Sequence, residues 1–294
     1  MTGVCDPRGK LGLGVSQFGL DYPVSNPRRP PAAEAGDILQ IAARGGVGVL
    51  DTSAGSARTD RVVGELLPRP NPFRTILKTA RCDRGPDFVE AEAKAALARL
   101  GLEHAYAIVV EQAGDLFGPH GPALWERLRK LKEWGIVDKI GVSAYASDDP
   151  VGLARRFKPD IVQAPASLLD QRLIVSGALA ELAEMGVEVH LRSIFLQGLL
   201  FLPPDRVPGP LQSASRRLSR VRRMIAEGKS DPLQAALGFA LSRKEATSVI
   251  VGVTTAAELQ AILAAAVSPP PDLDWDDMAI DDPVALDPAK WRAA

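Results

Sequence analysis

Short apolar, β-branched runs alternate with longer segments of helical period about eight times along this 294-residue chain, which predicts an α/β fold of the (β/α)8, or TIM-barrel, class. Two further observations support that class. The length suits one such barrel, since these run to about 250 residues or more, and at 46% apolar residues the chain can bury a large core. The longest apolar stretches, 47–50 and 108–110, have the length of buried strands, and nothing approaches the ~20 apolar residues of a membrane span.

In chain order the strand candidates are LGLGV (11–15), VGVLDT (47–52), TILKT (75–79), AIVVE (107–111), IGVS (140–143), IVQA (161–164), VEVHLR (187–192) and SVIVGV (248–253). Amphipathic stretches between them, among them 33–44, 87–100, 121–134, 173–184 and 231–242, read as helices. Gly45, Gly101, Gly135 and Gly186 each follow a periodic run where a left-handed C-cap is expected, and Asp231-Pro232 fits an N-cap followed by proline at the first helical position. Residues 1–294 are therefore read as one domain. It carries a Pro-rich, lid-like insertion near 201–229, which ends in a basic helix, and a Pro- and Asp-rich tail from about 268 that wraps the surface.

Charge and cysteine content limit the function classes. Lys plus Arg total 35 against 36 for Asp plus Glu, so no global field draws nucleic acid or an anionic membrane. The cluster Arg216, Arg217, Arg220, Arg222 and Arg223 is read first as a solvated helix face, and second as a patch for phosphate or an acidic partner. Cys5 and Cys82 are too few for a disulfide framework, and neither has a second ligand at metal spacing. With no secretion signal in MTGVCDPRGK, a cytoplasmic protein is expected. The expected partner is a small-molecule substrate, and the oligomeric state is left open.

Chemistry in such a barrel sits at the C-terminal ends of the strands. The segment GVGVLDTSAGSARTDRVVG (46–64) ends the second strand with Asp51 and Thr52, then brings Asp60, Arg61 and Gly64. ILKTA places Lys78 at the end of the third, RLGLEHAYAIVVE carries Glu111 beyond the fourth, and KIGVSAY carries Ser143 and Tyr145. IVQAP, LLDQRL, HLRSIFLQGLL and SVIVGVTTAAEL follow in order, and LGLGVSQFGLDYPVSN opens the series at 11–26. In this order and spacing the chain resembles the aldo-keto reductases over nearly its whole length, as a divergent bacterial member.

That resemblance implies hydride transfer from NADP(H) to a carbonyl carbon, with a tetrad of Asp, Tyr, Lys and His. Asp51 and Lys78 fall on the Asp and Lys positions, where the alternative is a plain salt bridge at the barrel mouth. The Tyr position falls on Ser56 and the His position on Glu111. A seryl hydroxyl is a far weaker and shorter acid than a phenol, and losing a positioned general acid removes ~10² to 10⁴ in rate. Steroid double-bond reductases of the same superfamily carry Glu at the His position. Glu111 is thus expected either to act as the acid, its pKa raised by burial among apolar strand residues, or simply to pair with Lys78. Of the tyrosines Tyr22, Tyr106 and Tyr145, the last points nearest the mouth and is read as a packing or stacking surface. None of His104, His120 and His190 matches the tetrad, and His190 is read as a core residue.

For the cofactor, the resemblance implies nicotinamide contacts from Ser143 and Gln163, with Ala144 where the family has Asn. It implies stacking and pyrophosphate contacts from Arg192, Ser193, Phe195, Leu196, Gln197 and Gly198. Gly252, Thr254 and Thr255 open a helix whose N-terminus suits an anion. Glu258 and Ile262 replace the usual adenosine-end contacts, so NADP binding is expected to be weakened, leaving NAD or an empty site as the alternatives. Three functions follow: a reductase of small or conjugated carbonyls with an atypical proton donor, a catalytically impaired binding or regulatory barrel, or a lyase or isomerase working through Lys78.

Overall fold

The computed structural model describes residues 6–19, 29–53, 56–288 and 291. Cys5, Tyr22, part of the opening-turn motif and residues 54–55 of the Asp51–Gly64 segment lie outside them. Eight parallel strands close into a barrel in sequence order: β1 (Leu11–Gly14), β2 (Val49–Asp51), β3 (Arg74–Lys78), β4 (Ala105–Val110), β5 (Val137–Ser143), β6 (Ile161–Pro165), β7 (Glu188–Arg192) and β8 (Ala246–Gly252). Closure comes from β1 pairing with β8, Leu11 opposite Val249 through Gly14 opposite Gly252. Every expected strand is present. Some begin earlier than the apolar run, as in β5, where half-exposed polar residues hide the start although Ala107 pairs with Lys139 in the ladder.

Val49, Ile76, Ala107, Val109, Ile161 and Ile250 fill the barrel interior, and the helices bury their apolar faces on its outside in one large cluster. The helices are α1 (Ala32–Arg44), α2 (Ala57–Leu66), α3 (Pro86–Leu100), α4 (Gly121–Glu133), α5 (Pro150–Phe157), α6 (Arg172–Val175), α7 (Ala178–Glu184), α8 (Gln212–Glu227), α9 (Pro232–Leu241) and α10 (Ala256–Ala266). Two expectations need correction. The stretch 173–184 is two helices, because Gly177 adopts φ +76° and breaks the run. After α1 the left-handed residue is Gly46, at φ +77°, not Gly45. Gly45 stays right-handed, and a Cβ there would strike Leu263 of α10.

The Asp60–Gly64 run proves to pack α2 on α3. Buried Asp60 accepts two hydrogen bonds from Arg99, at 2.9 and 3.0 Å, and a side chain at Gly64 would collide with the Arg99 carbonyl. The stretch 201–229 packs through Ala214, Leu218, Val221 and Ile225 of α8 against tail residues Met278, Ile280 and Leu286. The tail is tied to the loop after β6, where Ile280 N donates to Leu169 O at 3.0 Å. Part of the arginine cluster is spent on this packing: Arg220 pairs with Asp277 at 3.3 Å, and Arg222 donates to Leu202 O. Among the described residues no helix is long and apolar enough to cross a membrane, and no group of side chains is arranged to hold a metal.

Candidate active site

Parallel pairing brings the ends of β2, β3 and β4 to one rim, and with them three charged side chains. Lys78 Nζ lies 3.3 Å from Asp51 Oδ2 and 3.1 Å from Glu111 Oε2. From across the barrel, Gln163 Nε2 donates to Asp51 Oδ1 at 2.8 Å. The Lys78 side chain is only 5% exposed. Burial by itself pushes its pKa down, but Asp51 and Glu111 outweigh that, with Arg192 opposing them, so the value is raised and the ammonium persists at neutral pH. Glu111 corrects an expectation. It lies just past the strand, not among its apolar residues, with 35% of its side chain exposed and its carboxylate paired to Lys78.

This cluster forms one wall of a cavity of ≈ 940 Å³, at the upper end of the range for small-molecule sites. Of the candidate residues, Asp51, Lys78, Glu111, Ser143, Arg192, Ser193, Phe195, Gln197, Gly198, Gly252, Thr254 and Glu258 line it, as does Ile262. Four do not. Ser56 is the N-cap of α2, accepting from Thr59 N at 3.2 Å and sharing a 2.6 Å contact with Thr59 Oγ1. Gln163 is fully buried and held by Asp51, Leu196 is buried in the cluster that α8 forms with the tail, and Thr255 caps α10. Tyr145 lines the cavity as a stacking surface, with the Arg192 guanidinium 4.2 Å from its ring centre. His190 is buried in the barrel beside Glu188.

Backbone strain is concentrated in the loop after β7, where Ser193, Leu196 and Gln197 take positive φ of 60°, 45° and 53° ahead of Gly198. Left-handed conformations at non-glycine residues persist only where surrounding structure fixes them, and they cluster at ligand-binding segments.

The two ends of the cavity differ in how they suit a nicotinamide dinucleotide. Near Lys78 the polar groups suit a carboxamide: Ser143 lines the cavity, and its ladder partner Gln163 keeps a buried Oε1 without a hydrogen-bond partner. At the far end the N-terminus of α10 is already filled. Glu258 Oε2 accepts from Thr254 N at 2.6 Å and Thr255 N at 3.3 Å, while Glu34 Oε1 takes Ala256 N at 2.5 Å. Those amides are already taken by two carboxylates and are not free to hold a phosphate.

Sequence reasoning missed Gln17, which lines the cavity and donates to Val253 O at 2.7 Å and Gly14 O at 3.1 Å, tying β1 to the segment after β8. Its place just beyond a strand end was the available signal. Nothing local marks Glu34, 222 residues from the amide it caps.

A closed parallel barrel with a buried lysine between two carboxylates, at the strand ends on one wall of a cavity, defines an enzyme-type scaffold. The family model for the aldo/keto reductase family matches residues 10–280, and the chain belongs to that family. Membership supports an oxidoreductase. No curated protein sequence matches the chain. Among solved structures it is similar to the aldo-keto reductase AKR11C1 from Bacillus halodurans, at 19% identity and a TM-score of 0.73, covering 92% of this chain and 89% of that one. A Pseudomonas aeruginosa protein described as an aldo-keto reductase aligns at 19% identity and a TM-score of 0.64 over 87% and 89% of the two chains. At such identities the likeness establishes the fold.

Proposed function

We propose that the chain reduces a small carbonyl compound with a nicotinamide cofactor, preferring NADH, and that Lys78 takes the proton-donating place of the family tyrosine. The observation that carries this reading is Lys78 Nζ, held as an ammonium 3.1–3.3 Å from two carboxylates on the cavity wall. A bound nicotinamide would supply the hydride. Asp51 and Gln163 fix the lysine, whose remaining N–H polarises the carbonyl oxygen. As charge develops there, the alkoxide, more basic than an amine, takes the proton from Nζ. Glu111, open to solvent and in contact with Nζ, provides the route by which water restores it. The Bacillus halodurans relative is known in a holo form, in keeping with a cofactor-binding barrel.

Preference for NADH rests on Glu258 and Glu34 at the α10 N-terminus, since a 2′-phosphate would be repelled there. The test is oxidation of NADH and NADPH by the purified protein over a panel of aldehydes, ketones and enones, with Lys78→Met and Glu258→Gln alongside. Turnover should favour NADH, fall ~10²-fold or more in Lys78→Met, and shift toward NADPH in Glu258→Gln. Failure to oxidise either nucleotide with any member of the panel overturns the proposal. That result would favour a non-catalytic binding barrel, the reading that Ser56 as a helix cap supports. The raised pKa of Lys78 argues against imine chemistry, which needs the free amine.

A further inference from the structure

Among the described residues, Arg192 is the cation lining the cavity whose charge is not answered by an acid. Three arginines elsewhere in the barrel show the contrast, each matched closely to an acid: Arg99 with Asp60 at 2.9 Å, Arg172 with Asp170 at 2.8 Å, Arg127 with Asp87 at 2.7 Å. Arg192, at the end of β7 and lining the cavity, has no carboxylate partner among the described residues. Its hydrogen bonds are two contacts of 3.5 Å, from Nη1 to Ser193 Oγ and from Nη2 to Ala144 O, and its Nε is buried without an acceptor. The guanidinium is nevertheless fixed, because Tyr145 holds it 4.2 Å from the ring centre. Stacking engages the face of a guanidinium and leaves its in-plane N–H edges for an acceptor.

The surrounding charge permits such an acceptor. Asp51 and Glu111 are both committed to Lys78, and Glu258 to the amides of α10. Asp51, Glu111, Lys78 and Arg192 together sum to zero, so an incoming anion meets the Arg192 donors without net repulsion at that end. Arg192 also acts electrostatically on Lys78, which puts it near the group proposed to polarise the carbonyl.

We propose that Arg192 recognises an oxyanion on the substrate, so that the compound taken by this site is a carbonyl compound bearing a carboxylate or phosphate group. The inference rests on the carbonyl-reductase reading of the cavity. The same donors would also suit the pyrophosphate of a dinucleotide, and the experiment separates the two sources.

The experiment is equilibrium binding by intrinsic fluorescence, without turnover, of acid and amide pairs: glyoxylate with glyoxylamide, pyruvate with pyruvamide, succinic semialdehyde with its amide. Inorganic pyrophosphate forms a separate arm. Wild-type protein should bind at least one acid about 10- to 100-fold more tightly than its amide, the range expected for a charge-assisted hydrogen bond. Arg192→Gln should abolish that preference, and Arg192→Lys should restore part of it, keeping charge without the fork. Should Arg192→Gln fail to fold, Arg192→Lys together with Tyr145→Leu, which frees the guanidinium from its stacking surface, must weaken the acid preference instead. Acids and amides that bind alike, or an Arg192→Gln protein that loses pyrophosphate but keeps the acid preference, overturn the proposal. An inactive protein that still prefers the acid defeats only the reductase reading; an active one indifferent within every pair defeats only this inference.

Discussion

Replacing Lys78 by Met isolates the electrostatics of the cluster. The thioether chain keeps an unbranched apolar stem in the buried space while removing the charge between Asp51 and Glu111. Carboxylate oxygens lying 3.3 and 3.1 Å from one nitrogen are at most about 6.4 Å apart, and unit charges at that separation repel by ~2.6 kcal/mol at an effective dielectric of ~20. Solvent reaching Glu111 screens the pair, and at a dielectric of ~40 the repulsion is ~1.3 kcal/mol. Loss of the lysine's own attraction adds to this, and breaking a buried ion pair on one side costs about 3–5 kcal/mol in all. Urea unfolding at pH 7 reads the total. The decisive comparison is the double variant Lys78→Met with Glu111→Gln, which removes the repulsion and should recover at least about 1.3–2.6 kcal/mol. If Glu111→Gln recovers nothing in the Lys78→Met background at pH 7, the three side chains are not one electrostatic unit and the reasoning fails.

Two further outcomes follow from the same structure. Ser56→Ala should lower stability by about 1 kcal/mol, the usual cost of an N-cap, and leave carbonyl reduction and NADH binding unchanged; a large loss of turnover at unchanged fold would return Ser56 to the chemistry. At the other end of the barrel, burial pushes the Glu188 carboxyl up, but hydrogen bonds from His190, Lys139 and Tyr106 outweigh it and hold its pKa at about 2. A depressed carboxylate stabilises the fold above its ordinary value of 4.5 and loses that contribution as pH falls toward 2. Unfolding measured from pH 7 to pH 2 should therefore show Glu188→Gln less stable than wild type by on the order of 3 kcal/mol at pH 7, with the gap closing below pH 4.5; a gap independent of pH contradicts the assignment.

The barrel was legible because its strands are written as short β-branched runs ending in polar residues, and Asp51 and Lys78 stand at those ends. Glu111 shows the limit. Apolar neighbours at 107–110 implied burial, but the ladder stops at Val110 and the next side chain turns toward solvent. The bond from Gln163 to Asp51 joins β6 to β2 across the barrel, a relation that no local spacing encodes. At α10 half of the arrangement was readable, since Thr255 followed three residues later by Glu258 is a capping-box pattern. The other half, Glu34 from the start of α1, depends on α1 and α10 lying side by side once the barrel closes. The helix over 173–184 was over-extended because its apolar period runs through Gly177, whose positive φ no periodicity registers.

The two ends of the barrel carry similar side chains with different fates, and the contrast separates structural charge from charge available for chemistry. At the N-terminal end Lys139 is bonded to Glu188, Tyr106 OH donates to both Glu188 oxygens at 2.8 and 3.0 Å, and Arg74 lies over the Tyr106 ring at 5.1 Å. That network spends its donors on itself, and none of these residues borders the cavity. At the C-terminal end Lys78 is again set against acids, but Glu111 is open on one side, and among the described residues Gln163 Oε1 lacks a partner and Arg192 has no acid. Unsatisfied polar atoms cost stability wherever they are buried; the N-terminal network leaves His190 Nδ1 orphaned inside the barrel, whereas Gln163 Oε1 and Arg192 Nε are orphaned at the end where the cavity opens, and there a ligand can offset the cost. The reductase reading and the anion reading both draw on that asymmetry, and it would survive the loss of either.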